Sequence, residues 1–316
     1  MKSNDAHISE VIKLTIEKKN FGQRCIDICR EVYPEVTEEM QGLADGLEIS
    51  FSDFAGWIFC IYCYEYMHGC TCIAFKDDKN IILGRNSDFF TEIRDVCQSA
   101  LYRPDKGYRF IGNSTAVVEM EDGYNEHGLA IGLTYIFPGV IKPGLNAGIL
   151  LRYILEKCKT VKEALEALHS LPISSSQTFT MIDKSGEMAV VECNCEKIVV
   201  IEPETGKYFV ASANHFVSPE MQQYERLCFI DARERYEVAR KALMMNNNYS
   251  FELARKILSG EYGFMCQYPR HCGFDTLWST IYDLKNDRIF RAEGNPSRTK
   301  FKEDGRLRTP NKAGGR

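Results

Sequence analysis

One short stretch constrains this chain more than any other. Cys70–Phe75 (CTCIAF) has the texture of a strand, Asp77-Asp-Lys-Asn that of a turn, and Ile81-Ile-Leu opens a second strand ending in Gly84-Arg-Asn-Ser-Asp. Apolar and β-branched residues flanking a polar turn read as a hairpin. Antiparallel pairing returns residues 84–88 to the neighbourhood of Cys70, because both lie at the hairpin's open end. A thiol (Cys70), a guanidinium (Arg85) and a carboxylate (Asp88) then meet in a small volume. Cys72, two residues on and on the same face, is a rival for the reactive thiol, and the bland reading of the charges is that they are solvated strand ends.

The rest of the chain is read around that hairpin. Residues 1–67 read as helical, with Ile8, Val11, Ile12 and Leu14 opening an apolar pattern, a continuation from Thr37, and Ser50-Phe-Ser-Asp capping the run Phe54–Tyr64. Beyond the hairpin, strands are expected at Tyr108–Ile111, Thr115–Glu119 and Leu129–Thr134, a helix over Gly144–Leu171, and strands at Thr178–Asp183, Met188–Cys193, Lys197–Ile201 and Val210–Ala213. Helices over Arg226–Met245 and Phe251–Leu258 precede a closing hairpin, Thr276–Asp283 with Arg288–Ala292. Strands in runs with helices in blocks argue for an α+β layered fold rather than alternating βαβ units. The tail from Lys300, rich in Lys, Arg, Gly and Pro, is expected to be disordered.

Composition sets limits. A net charge of −5 with scattered basic residues offers no nucleic-acid footprint. The longest apolar run, Phe54–Tyr64, is too short to span a bilayer, and no apolar leader is visible, so no membrane association and a cytoplasmic location are expected. Thirteen cysteines are many. In such a chain they read as buried free thiols rather than disulfides. The set Cys60, Cys63, Cys70 and Cys72 leaves a metal-binding protein open as a rival, although no second Cys-x-x-Cys stands at zinc-finger spacing and no metal is expected. His68, His127 and His215 each suggest a Cys–His dyad, but no signature of a papain-like protease accompanies them. Trp57 and Trp278 read as core.

Several segments together resemble a known group. The Gly-Cys-Thr junction, Gly84-Arg-Asn-x-Asp-Phe and the 18-residue step from Cys70 to Asp88 resemble the penicillin acyltransferase branch of the choloylglycine hydrolase family of N-terminal-nucleophile (Ntn) hydrolases. Asn125-Glu-His-Gly-Leu, Ala213-Asn-His-Phe, Arg233-Glu-Arg-Tyr-Glu, Thr276-Leu-Trp-Ser and Gly294-Asn-Pro-Ser resemble further segments, in order, from about Glu39 to Phe301. The resemblance implies a four-layer αββα sandwich with an N-terminal helical segment. Residues 1–69 would be a pro-segment and 70–299 the catalytic domain, followed by the 300–316 tail.

It also implies roles. Cys70 would be the nucleophile, freed as a new N-terminus by cleavage between Gly69 and Cys70. Asp88 would orient the freed α-amine, Arg85 would sit beside the thiol, Asn214 would supply an oxyanion donor, and Arg235 would brace the site. Thr134 falls where the bile-salt hydrolases carry asparagine, and Tyr135 lies beside it near an acyl pocket. The chemistry is coherent: a thiol titrating near 8.5 needs help at neutral pH, and an α-amine near 7.7–8.0 is a suitable base on the same residue. The cut itself would follow thiol attack on the Gly69 carbonyl, with glycine tolerating a strained backbone.

The expected activity is hydrolysis of a linear or cyclic amide of a small N-acyl or peptide-like molecule through a thioester. Transfer of the acyl group to an amine, with acyl-CoA as co-substrate, stays open, as does a chain that never cuts itself. No cofactor is expected. The expected partners are the amide substrate and the chain's own cleaved N-terminal piece, with self-association left open.

Overall fold

The computed structural model describes residues 14–64, 68–226 and 231–308. The expected helical positions Ile8, Val11 and Ile12, residue Cys228 and positions 309–316 lie outside them.

The described chain begins with α1 (Ile16–Val32), α2 (Pro34–Leu47) and α3 (Phe51–Cys60). Their starts are set locally: Thr15 and Ser50 accept backbone N–H groups at the first turns of α1 and α3, and Pro34 opens α2. The strands β1 (Gly69–Lys76) and β2 (Ile81–Phe90) follow as the expected hairpin. Then come β3 (Gln98–Tyr102), β4 (Phe110–Ser114), β5 (Asp122–Asn125) and β6 (Ala130–Tyr135). Two helices, α4 (Ala147–Lys157) and α5 (Val161–Ser170), precede β7 (Gln177–Ile182), β8 (Met188–Cys193), β9 (Ile198–Ile201) and β10 (Phe209–Ala213). The chain closes with α6 (Pro219–Gln222), α7 (Ala232–Met245), α8 (Phe251–Leu258), β11 (Phe274–Asp283), β12 (Arg288–Ala292) and β13 (Lys302–Asp304).

The strands form two antiparallel sheets, ordered β10-β1-β2-β11-β12-β13 and β3-β4-β5-β6-β7-β8-β9. Side chains alternate across each strand, so each sheet buries both faces. Cys72, Ala74, Ile81 and Leu83 of the first sheet meet Ile111, Ala130, Ile182 and Val190 of the second in the inter-sheet core. Ile73, Phe75, Ile82 and Ile281 point the other way, onto Ala239, Leu243, Ala254 and Ile257 of α7 and α8. The outer face of the second sheet packs Ile131, Leu133, Phe179 and Val191 against α4, α5 and the N-terminal helices. This is the four-layer αββα sandwich. The N-terminal helices share that last core rather than having one of their own, and Asn146 Nδ2 ties α3 to α4 by donating to the carbonyls of Ile58 (2.9 Å) and Ile61 (3.1 Å).

Four expectations change. The single helix over Gly144–Leu171 is two, because Cys158 turns extended and Thr160 caps the second. Thr115–Glu119 is not a strand; Val117 sits at φ 54° there, and β3 and β5 are strands that went unread. The helix expected from Arg226 begins at Ala232. The tail expected to lack structure from Lys300 onward supplies β13, which pairs with β12. Among the described residues no helix is long and apolar enough to cross a membrane.

Candidate active site

Register does most of the placing. Across β1 and β2, Gly69 faces Asp88, Cys70 faces Ser87 and Cys72 faces Arg85. Alternation then sends Cys70, Cys72, Arg85 and Ser87 into the space between the sheets, while Asp88 lies on the α7 side beside Arg235. Cys70, Arg85 and Asp88 are fully buried.

The Cys70 thiol lies 3.0 Å from Nη2 of Arg85. Arg85 is itself held on every side: Nε donates to the Leu133 carbonyl (2.9 Å), Nη1 to Asp122 Oδ2 (2.9 Å) and to Ser87, and Nη2 approaches Glu121 Oε2 (3.4 Å). Asp122 also accepts from Trp278 Nε1 (3.0 Å), Thr280 Oγ1 (3.2 Å), Tyr282 and Asn113. A buried guanidinium persists because two carboxylates and a carbonyl surround it. Glu121 and Asp122 were not read from the sequence, and Trp278, expected as plain core, is a donor in this network. A register shift between Thr276 and Trp278 makes that arrangement, letting Thr276 reach Asp88 while Trp278 reaches Asp122.

The backbone around Cys70 is clamped. Its N–H donates to Asn214 Oδ1 (2.6 Å), and its carbonyl accepts from Arg235 Nη1 (2.6 Å), which also reaches Thr71 Oγ1 (2.7 Å). Arg235 Nη2 donates to Asn214 Oδ1 (3.0 Å), and Asn214 Nδ2 donates to the Tyr135 carbonyl (2.9 Å). Asp88 accepts from Thr276 Oγ1 (2.6 Å) and Tyr268 OH (2.9 Å), with Arg235 Nη1 at 3.9 Å. Burial raises the Asp88 carboxyl to about 6, against the pull of Arg235. Burial likewise pushes the Cys70 thiol up to about 12, with Arg85 working against it, and Glu121 up to about 7. In the continuous chain this thiol is protonated.

The remaining sequence candidates fall out clearly. The Thr134 hydroxyl is bonded to Thr178 Oγ1 (2.7 Å) and donates to the Ala213 carbonyl (2.9 Å). Tyr135 stacks on His68, ring centroids 4.7 Å apart. Cys72 faces the inter-sheet core with its Sγ packed against Gly132, and Gly69 lies in regular strand rather than in a positive-φ conformation, so its value is the missing side chain. Of the three histidines, His68 alone reaches the thiol, with Nδ1 3.7 Å from Cys70 Sγ; His127 packs on Tyr108 and His215 on Tyr236. Cys60 and Cys63 are buried elsewhere, their thiols at the Lys18 carbonyl (3.6 Å) and Ser174 Oγ (3.3 Å). Among the described residues no group of three or more His, Cys, Asp or Glu could hold a metal ion, so the rival four-cysteine site does not assemble.

Residues 75–298 match the sequence profile of the acyl-coenzyme A:6-aminopenicillanic acid acyltransferase family. The chain belongs to that family. It is accordingly an enzyme of the amide-hydrolase and acyltransferase group. The matched segment contains Arg85, Asp88, Thr134, Tyr135, Asn214 and Arg235 and begins five residues after Cys70. No curated protein sequence matches the chain. Solved structures share the fold at low identity. A conjugated bile acid hydrolase variant from Clostridium perfringens superposes with TM-score 0.53 at 14% identity, covering 76% of this chain and 93% of its own. Penicillin V acylase from Agrobacterium tumefaciens gives 0.52 at 18%, covering 71% and 82%. A Caenorhabditis elegans ortholog of N-acylethanolamine-hydrolyzing acid amidase gives 0.50 at 15%, covering 68% and 93%.

Proposed function

We propose that this enzyme cuts itself between Gly69 and Cys70 and then hydrolyses a small amide through a Cys70 thioester. The observation that carries the reading is the Cys70 thiol 3.0 Å from Arg85 at a junction clamped by Asn214 and Arg235. A peptide nitrogen is no base. Cleavage converts it to an α-amine that titrates near neutrality, and Asp88, one register position away at Gly69, would hold it. Arg85 would favour the thiolate. The thiolate attacks the substrate carbonyl, the α-amine passes the proton to the leaving amine, and water resolves the thioester. Asn214 Nδ2, which donates to Tyr135 in the continuous chain, would turn to the tetrahedral oxyanion; one such donor is worth about 10²–10³ in rate.

The names of the structural relatives, a bile acid hydrolase, a penicillin V acylase and an acid amidase, support amide hydrolysis. The family's description favours a second reading, transfer of the acyl group from a thioester such as acyl-CoA to an amine. Because α1–α3 are packed into the core of the second sheet, the released N-terminal piece stays docked.

Intact mass spectrometry of wild type and Cys70→Ala tests the first step. Two wild-type pieces, 1–69 and 70–316, with an uncut variant support the reading. A wild type that stays full-length while hydrolysing amides refutes it. Partition of the acyl product between water and an added amine separates hydrolysis from transfer.

A further inference from the structure

Self-cleavage poses a problem that the mature chemistry does not solve. The α-amine that would deprotonate the thiol does not exist until Gly69 and Cys70 have separated, and the buried thiol is a poor nucleophile while protonated. Resting on the self-cleavage reading, we propose that His68 is the general base of that first cut, a residue used once and then left behind on the N-terminal piece.

The geometry is specific. His68 Nδ1 is 3.7 Å from Cys70 Sγ, within reach of an S–H hydrogen bond. The imidazole is sandwiched between Phe89 (centroids 4.9 Å, planes 14° apart) and Tyr135 (4.7 Å, 29°), with Tyr62 edge-on at 5.5 Å. That stack fixes the ring plane and aims Nδ1 at the thiol. Burial first, and then the Arg85 cation, hold the ring in its neutral form, which presents a lone pair. Among the described residues, the titratable and charged groups near it are Cys70 on its own segment, Arg85 of β2, Tyr135 of β6 and Tyr62 ahead of β1. The competing carboxylates are otherwise engaged: Glu121 with Arg85 and Thr115, Asp88 on the far side of the sheet with Thr276 and Tyr268.

The step balances without any added reagent. Nδ1 takes the thiol proton as Sγ bonds to the Gly69 carbonyl carbon. The Gly69–Cys70 C–N bond breaks, and the same proton passes from Nδ1 to the departing Cys70 nitrogen. The result is a thioester between the Gly69 acyl group and Cys70 Sγ. Water then hydrolyses it to a Gly69 carboxylate and a free thiol.

The test follows cleavage of freshly translated chain by mass spectrometry against time and pH, for wild type, His68→Phe and His68→Gln. Phe keeps the stack and Gln keeps polarity, and thermal melts show which variants fold. General-base catalysis contributes about 10²–10⁴-fold, so both folded variants are expected to cut at least ~10²-fold more slowly. Wild-type cleavage should slow on the acid side of the histidine's lowered range, and that limb should vanish in the variants. Cleavage at wild-type rate and pH profile in either folded variant overturns the proposal while leaving the self-cleavage reading intact; a wild type that is never cut overturns both.

Discussion

Gly69 faces Asp88 across the β1–β2 pair, and a side chain at position 69 would begin 3.3 Å from Asp88 Oδ2, 3.2 Å from its Cβ and 3.5 Å from Arg235 Nη2. The glycine keeps open the place where the carboxylate meets the junction. Gly69→Ala forces that neighbourhood apart by a few tenths of an ångström. It is expected to cost about 1–2 kcal/mol and to slow self-cleavage roughly tenfold, with Gly69→Val worse on both counts. Thermal melts of the uncut Cys70→Ala background and a cleavage time course in the otherwise wild-type chain measure the two effects.

Arg85 is fully buried among Asp122, Glu121 and Cys70. Arg85→Gln strands two carboxylates without their cation and is expected to cost about 3–5 kcal/mol in urea unfolding of the Cys70→Ala chain. Adding Asp122→Asn should recover part of that loss, since it removes one stranded charge. An additive double variant would mean that the two residues do not depend on each other.

Asp88 gives a pH signature with a definite sign. Its carboxyl is raised by burial from 3.8 to about 6, so the folded state holds a proton that the unfolded state has released. That contribution to stability is fully present below about pH 4 and is lost as pH rises through 6, roughly 3 kcal/mol at most at pH 8. In the Cys70→Ala background, Asp88→Asn should therefore be more stable than its parent at pH 8, by about 1–3 kcal/mol, and no more stable at pH 4. The same substitution in the active chain should abolish turnover, because the α-amine loses its anchor. Melts at the two pH values, with an amide-hydrolysis assay, check both halves.

Thr134 is expected to act through structure, since its hydroxyl donates to the Ala213 carbonyl. Thr134→Val leaves the Ala213 carbonyl and the Thr178 hydroxyl short of a partner and is expected to cost about 1–2 kcal/mol. Self-cleavage and amide turnover should change by less than about threefold; a loss approaching the 10² of a missing oxyanion donor would return Thr134 to the reaction.

What could be read without coordinates was local. The strand texture of Cys70–Phe75, its turn and its returning strand place Arg85 and Asp88 near Cys70 whatever the rest of the chain does, because a hairpin's register follows from its turn. Asn214 and Arg235 required the family resemblance, and the structure brings both onto the Cys70 backbone. The Thr115–Glu119 strand was misread because its apolar, β-branched residues run through a turn at Val117, which is exposed at positive φ, rather than along a ladder.

The sequence by itself determined the hairpin, the order of elements behind the α+β layering, and the return of Arg85 and Asp88 to the Cys70 end of the first strand, since a hairpin depends on one turn and its two flanks. Tertiary structure alone decided the rest. Glu121 and Asp122 reach Arg85 from the opposite sheet, Trp278 reaches Asp122 through a bulge, and His68 is aimed by Phe89 and Tyr135, strands apart from each other. The physical reason is that packing two sheets face to face brings together side chains whose separation along the chain carries no periodic signal. Burial between those sheets also sets the protonation of Cys70 and His68, and burial on the α7 side of the first sheet sets that of Asp88, which no residue type announces on its own.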